Sequence, residues 1–204
     1  MPTLEVFADV RCPFTHSGVR RLLERRREAG ADVVLRFRAW PLELVNGEPL
    51  DPALVAEEVD AIRDQVRGDL FAGFDPGRFP ATSLPALALA DAAYGVDVAT
   101  GEGVSLALRD ACFEQGRDIA DAEVLRQIAG AHGVGGPIDD QHGVVRDWKE
   151  GQERGVEGSP YYFVGEAGFF CPALHIEKVD GRFRLANATD EFEAFLARAF
   201  TGSN

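Results

Sequence analysis

Strand-like spacing occurs only near the two ends of this 204-residue chain, and the long stretch between them carries helical spacing instead. Leu4 to Ala8 is a short apolar run that ends at Asp9, and its β-branched Val6 and aromatic Phe7 suit a pleated core. From Ser17 to Glu28, Val19, Leu22 and Leu23 recur at helical intervals among arginines and glutamates, and Gly30 offers a stop. Val33 to Trp40 alternates in part and reads as a second strand, closed by Pro41. This strand, helix, strand opening predicts two parallel neighbours, with the loop after the first strand forming a site.

The middle predicts only helices. Pro52 to Leu70 is patterned by Leu54, Val55, Val59, Ile62 and Val66, and Ser83 stands where it can cap a helix over Leu84 to Tyr94 that Gly95 ends. Leu106 to Phe113, a segment after Asp121 with Val124, Leu125 and Ile128, and Asp139 to Arg154 are the further helical candidates. Strand signals return at Tyr161 to Val164, Phe169 to Ile176 and Phe183 to Leu185. A last helix, Thr189 to Phe200, should bury Phe192, Phe195, Leu196 and Phe200, with Asp190, Glu191 and Glu193 near its amino end. The expected class is α/β, with residues 1–51 and 155–204 forming one domain and 52–154 a helical insertion.

Charge and cysteine usage narrow the function. A formal net charge of −13 repels polyanions, so nucleic acid is not an expected partner. Residues 1–50 are the exception, with eight basic and seven acidic residues, although Arg20, Arg21, Arg25 and Arg27 read most simply as the solvated side of a helix. No apolar run is long enough to span a membrane, and MPTLEVFADV lacks the pattern of a signal peptide, so the expected compartment is the cytoplasm. Three cysteines, at 12, 112 and 171, cannot all pair within one chain, which favours a reduced resting state. His132, His142 and His175 have no arrangement specific for zinc; no metal and no obligatory cofactor are expected.

The segment Asp9-Val10-Arg11-Cys12-Pro13-Phe14-Thr15-His16 carries the candidate chemistry. Pro13 suits the first turn of a helix, where its missing donor matters least, and a thiol at a helix start is stabilised as the thiolate by unpaired backbone donors. A lowered pKa for Cys12 is therefore expected, against the alternative of an inert core thiol. Arg11 would add positive potential or else be a surface charge, and Phe14 would be a hydrophobic lid or a packing residue. Thr15, three residues on, can donate to the sulfur or cap the helix, but it cannot form an internal disulfide. His16, four residues on, can tune or deprotonate Cys12, or serve the scaffold.

The chain resembles the DsbA branch of the thioredoxin superfamily, including its FrnE-like proteins with a helical insertion. The resemblance rests on FADVRCPFTHSG at 7–18, FRAWPLEL at 37–44, the helical middle and GVEGSPYYFV at 155–164. It implies a thioredoxin-like fold in which Cys12 matches the first cysteine of a redox-active CxxC, and Pro160 a cis proline facing it. Thr15 stands where the second cysteine would be. A cis Ser159-Pro160 bond would turn peptide groups of both residues toward Cys12 and align an incoming sulfur, whereas the local sequence alone fits an ordinary trans turn. Cys112 and Cys171 read as core thiols, with Cys171 the more plausible resolving partner.

Three functions follow from this reading. The first is monothiol disulfide exchange or glutathionyl transfer through Cys12, with a disulfide-bearing protein or small thiol as partner and glutathione as substrate or cosubstrate. The second draws on the similarity to kappa-class glutathione transferases and 2-hydroxychromene-2-carboxylate isomerases, where Cys12 or Thr15 would hydrogen-bond a glutathione sulfur; those relatives often carry serine at the position of Cys12. The third is a non-catalytic peptide-binding module that uses the cis-proline cleft. A homodimer is compatible with each.

Overall fold

The structure, a computed structural model, describes residues 3–136 and 138–201. β1 (Thr3–Ala8) and β2 (Val34–Ala39) pair in parallel, with Val6 opposite Phe37, and α1 (Pro13–Ala29) connects them. β3 (Tyr161–Val164) runs antiparallel to β1, and β4 (Ala167–Phe170) antiparallel to β3, giving the sheet order β2-β1-β3-β4. Between β2 and β3 lie α2 (Leu42–Asn46), α3 (Pro52–Gln65), α4 (Leu84–Val96), α5 (Val98–Phe113), α6 (Ala122–Ala131) and α7 (His142–Glu153). A separate hairpin of β5 (Leu174–Val179) and β6 (Arg182–Asn187) precedes α8 (Thr189–Thr201). This is the expected α/β, thioredoxin-like frame with a helical insertion. No helix among the described residues is long and apolar enough to cross a membrane.

Burial follows the sequence periodicity. Val6, Leu22, Leu35, Val59, Ile62, Leu89, Val104, Leu108 and Phe195 are fully buried, and they draw the sheet, α1, the insertion and α8 into one core. A smaller cluster of Phe7, Trp40, Val156 and Phe163 lies where α7 crosses the sheet. Gly151 permits that crossing, because a Cβ there would stand 2.6 Å from the Trp40 ring.

Several boundaries differ from those the sequence suggests. α1 begins at Pro13 rather than Ser17, since Cys12 is already its extended N-cap and Pro13 its first helical residue. α3 stops at Gln65, whose side chain turns to β6 and bonds both Phe183 O (3.1 Å) and Leu185 N (2.9 Å). α5 starts at Val98, where Asp97 accepts from the Thr100 amide as N-cap, and α7 starts at His142 rather than Asp139. Ser83 makes no capping bond, because its hydroxyl reaches Asp9 Oδ2 at 3.0 Å. The stretch 169–176 is not one strand: Cys171, at φ 40°, turns the chain between β4 and β5. Phe200 is only partly buried, whereas Phe192, Phe195 and Leu196 are buried as expected.

The arginines of α1 divide. Arg25 and Arg27 are exposed, but Arg20 pairs with Asp110, and Arg21 donates to Ala173 O at 3.0 Å while lying over the Phe192 ring. Their stems help to hold α1 against α5 and α8.

Candidate active site

The loop from Asp9 to Cys12 leaves the carboxyl end of β1 in the middle of the sheet and turns into α1. Asp9 is fully buried and holds the loop in shape. Its Oδ1 accepts from the Arg11 amide at 2.8 Å, and its Oδ2 accepts from the Leu42 amide at 2.8 Å and from the Ser83 hydroxyl. Arg11 is also fully buried. It lies 3.5 Å from both Asp9 and Glu43 and donates to Pro80 O at 3.2 Å. The surface-charge reading of Arg11 is thus wrong, and the positive potential expected at Cys12 is met by two carboxylates. Arg11 fastens the reactive loop to α2 and to the approach to α4.

Cys12 is 4% exposed. Its thiol donates to the carbonyl oxygen of Ser159 at 3.2 Å, and the Ser159-Pro160 peptide is cis, as the resemblance implies. The Ser159 hydroxyl accepts from the Asp9 amide at 3.0 Å and lies 2.9 Å from the Thr15 hydroxyl. The segments Cys12 to Thr15 and Ser159-Pro160, widely separated in sequence, therefore meet at one point.

Burial pushes the Cys12 thiol above its ordinary pKa, while hydrogen bonding from Thr15 and Ser159 pulls the other way. The expected lowering does not occur. The helix start is present, but desolvation of the charged form outweighs it, so the resting group is a protonated thiol.

A nearby carboxyl contributes to this balance. Glu58 on α3 is partly buried and makes no hydrogen bond or ion pair among the described residues. Burial raises its pKa to about 7, with Lys178 opposing, and its charge adds to the cost of ionising Cys12. The raised pKa means that the folded chain holds a proton there which the unfolded chain releases near the ordinary carboxylate value. The associated stability is full below that value and is lost as pH rises through about 7. Glu58→Gln should therefore reduce the loss of thermal stability between pH 5 and pH 8 by on the order of 2 kcal/mol. It should also move the alkylation midpoint of Cys12 downward. Parallel melting curves and alkylation rates for the two proteins would check this, and an unchanged pH dependence would count against the assignment.

His16 is engaged elsewhere. Its Nε2 lies 2.7 Å from Glu114 Oε1, and its ring packs between Phe71 and Phe113. Burial lowers its pKa, so at neutral pH a neutral imidazole donates to the carboxylate. Burial would raise Glu114, but bonds from His16 and from the Phe71 and Ala72 amides hold it down at about 2. No hydrogen bond joins the His16 side chain to Cys12 among the described residues. Phe14 is buried and packs 6.2 Å from the Phe183 ring, beneath the β5–β6 hairpin.

All three cysteines are free and buried. Cys171 sits opposite Pro160 across the β3–β4 hairpin, with its amide 3.0 Å from the Pro160 carbonyl, and burial pushes its thiol up to about 12. Cys112 lies in the core of α5, where burial raises it further still. Among the described residues no cluster of His, Cys, Asp and Glu could hold a metal ion. Glu58 and Glu114 are site residues that sequence reasoning passed over, and Asp9 opens the candidate segment without a role there. Leu42 and Ser83 reach Asp9, and His16 reaches Glu114, from far away in the chain, and no local spacing marks these carboxylates.

The sequence matches the family of DSBA-like thioredoxin domains over residues 3–184. No curated protein matches it. Among solved structures it is similar to the cytosolic disulfide reductase DsbM from Pseudomonas aeruginosa, at 18% identity and TM-score 0.63, covering 96% of this chain and 97% of that one. The same protein solved with GSH matches at TM-score 0.62 and 17% identity, with the same coverage. A putative protein disulfide isomerase from Nitrosomonas europaea matches at 15% identity and TM-score 0.67, covering 97% of this chain and 98% of that one. A 2-hydroxychromene-2-carboxylate isomerase matches at 14% identity and TM-score 0.60, over 82% and 88%. At these identities the likeness is one of fold.

Proposed function

The chain belongs to the family of DSBA-like thioredoxin domains, and from that premise we propose that it is a monothiol disulfide-exchange enzyme using Cys12, with glutathione as the resolving thiol. The observation that carries this reading is the pairing of one thiol, at the N-cap of α1 against the Ser159 carbonyl, with a hydroxyl rather than a thiol at residue 15. Cys12 as thiolate attacks one sulfur of a substrate disulfide. A Cys12–S bond forms, the substrate S–S bond breaks, and the departing thiolate takes up a proton. A glutathione thiolate then attacks the substrate-derived sulfur of the mixed disulfide. The bond to Cys12 breaks, Cys12 leaves as thiolate, and the substrate sulfur departs as a disulfide with glutathione, which a second glutathione thiol can reduce. The electrons thus come from glutathione rather than from a second cysteine of the chain. Thr15 steadies the sulfur, Ser159 and Pro160 orient the incoming disulfide, and Arg11 holds the loop that presents Cys12. FrnE-like character and a cytoplasmic setting fit this role.

Incubation with glutathione disulfide should place a single glutathionyl group on Cys12 and none on Cys112 or Cys171, as read by intact mass and peptide mapping. Reduced glutathione should remove it. An internal Cys12–Cys171 disulfide accumulating during turnover would defeat the monothiol scheme.

The resting protonation of Cys12 favours one alternative: a neutral S–H, like a serine hydroxyl, can donate to the thiolate of bound glutathione, as a transferase or isomerase would require. Turnover retained by Cys12→Ser in an electrophile-transfer assay would select that reading.

A further inference from the structure

We infer that Ser159 is a positioning residue whose hydroxyl acts through Thr15 on the Cys12 thiolate, in a directed chain of hydrogen bonds that starts at the Asp9 amide. The inference rests on the reading of Cys12 as the reacting thiol and deepens it.

An amide N–H can only donate, so in the 3.0 Å contact between Asp9 N and Ser159 Oγ the serine oxygen is the acceptor. The Thr15 and Ser159 hydroxyls, 2.9 Å apart, hold two protons between them, and the bond that joins them uses one. Whichever oxygen donates, one hydroxyl proton remains. Asp9 and Thr15 are fully buried and Ser159 is 9% exposed, so water is not at hand to accept that proton. The Cys12 sulfur is within reach, three residues before Thr15 at the same helix start and already bonded to Ser159.

One order polarises every step in the same sense: Asp9 N–H to Ser159 Oγ, Ser159 O–H to Thr15 Oγ1, Thr15 O–H to Cys12 Sγ. Residue 159 thus serves both protonation states. In the thiol state S–H donates to the Ser159 carbonyl. When the thiol proton passes to base in the solvent, that bond ends, and the chain from the Ser159 hydroxyl supplies the thiolate with a donor in its place. A charge-assisted bond of this kind stabilises the thiolate more than the thiol, which is the difference that sets reactivity.

The test is the pH profile of Cys12 alkylation by iodoacetamide, followed by peptide mapping. Ser159→Ala, which keeps the carbonyl and removes only the hydroxyl, should slow alkylation about 3-fold at a fixed pH below the midpoint and move the midpoint upward. Thr15→Val should slow it about 10-fold. The double variant should be little slower than Thr15→Val alone, because the serine acts mainly through the threonine and its direct bond to the sulfur is the weaker of the two. Ser159→Thr should restore the wild-type profile and the equally sized Ser159→Val should not, a comparison that remains available if the smaller alanine perturbs the fold. A wild-type profile for Ser159→Ala, or single effects that multiply in the double variant, would overturn the chain. Alkylation consumes no disulfide: variants that shift as stated in a protein that exchanges none would leave this inference standing and remove the proposed reaction.

Discussion

Replacing Cys12 by serine should lower the rate of disulfide exchange by about three orders of magnitude or more, because a serine hydroxyl is barely ionised at neutral pH and an alkoxide does not exchange with disulfides. Removal of the Cys171 or Cys112 thiol by serine should leave the exchange rate within about 2-fold of the wild type, since both groups are buried and held protonated by that burial. The pH dependence should follow from the direction of the Cys12 shift. A thiol whose pKa is raised by burial is a minor thiolate at neutral pH, so exchange should accelerate with pH and level off only above the ordinary thiol range. Stopped-flow exchange with glutathione disulfide, run as a pH series on the wild type and the three serine variants, would measure all of this. Undiminished exchange by Cys12→Ser would end the proposal. A collapse of exchange in Cys171→Ser with Cys12 intact would replace it with a two-cysteine cycle.

The same contrast between local and distant interactions decides what the sequence could reveal. Cys12 followed by Pro13 announces a helix start, and the helix does start there; Ser159-Pro160 is cis and faces the thiol. These features depend on a few adjacent residues or on a motif that travels intact. The protonation of Cys12 does not. The helix-start argument is sound as far as it goes, but the cost of burying the thiolate is set by residues far away in the chain, Glu58 on α3 and Ser159 among those beside it, which no local pattern places next to residue 12. Ser83 shows the same conflict: it stands where a cap belongs, yet its hydroxyl serves Asp9, 74 residues away, because a fully buried carboxylate without donors would cost far more than an uncapped helix. Arg11 reads as a surface cation until Asp9, Glu43 and Pro80 close around it. The turn at Cys171 left no trace, since a non-glycine residue in the left-handed region carries no signature in the sequence.

Gly116→Ala should be among the most destabilising single changes in the insertion, costing about 3 kcal/mol or more. Gly116 has φ 60°, and a Cβ there would lie inside the van der Waals surface of the Gly73 carbonyl oxygen. Both obstacles are backbone, so no side-chain rotation relieves them. A Cβ on Gly73 would in turn strike the Glu114 carbonyl, so two glycines meet where the segment after α3 crosses the end of α5. The crossing matters for the site, because it delivers the Phe71 and Ala72 amides to the Glu114 carboxylate, 2.9 and 3.1 Å away, and that carboxylate holds His16 on the helix that begins at Cys12. For a chain of this size the loss corresponds to a fall in Tm of roughly 6–12 °C. Gly95→Ala is the control: nothing lies within 4 Å of a Cβ there and its φ is not positive, so its effect should stay within about 0.5 kcal/mol. Thermal unfolding of both variants decides the matter. A Gly116→Ala protein that melts as high as Gly95→Ala would mean that the backbone crossing is slack, and that His16 and Glu114 are held by their ring and carboxylate contacts alone.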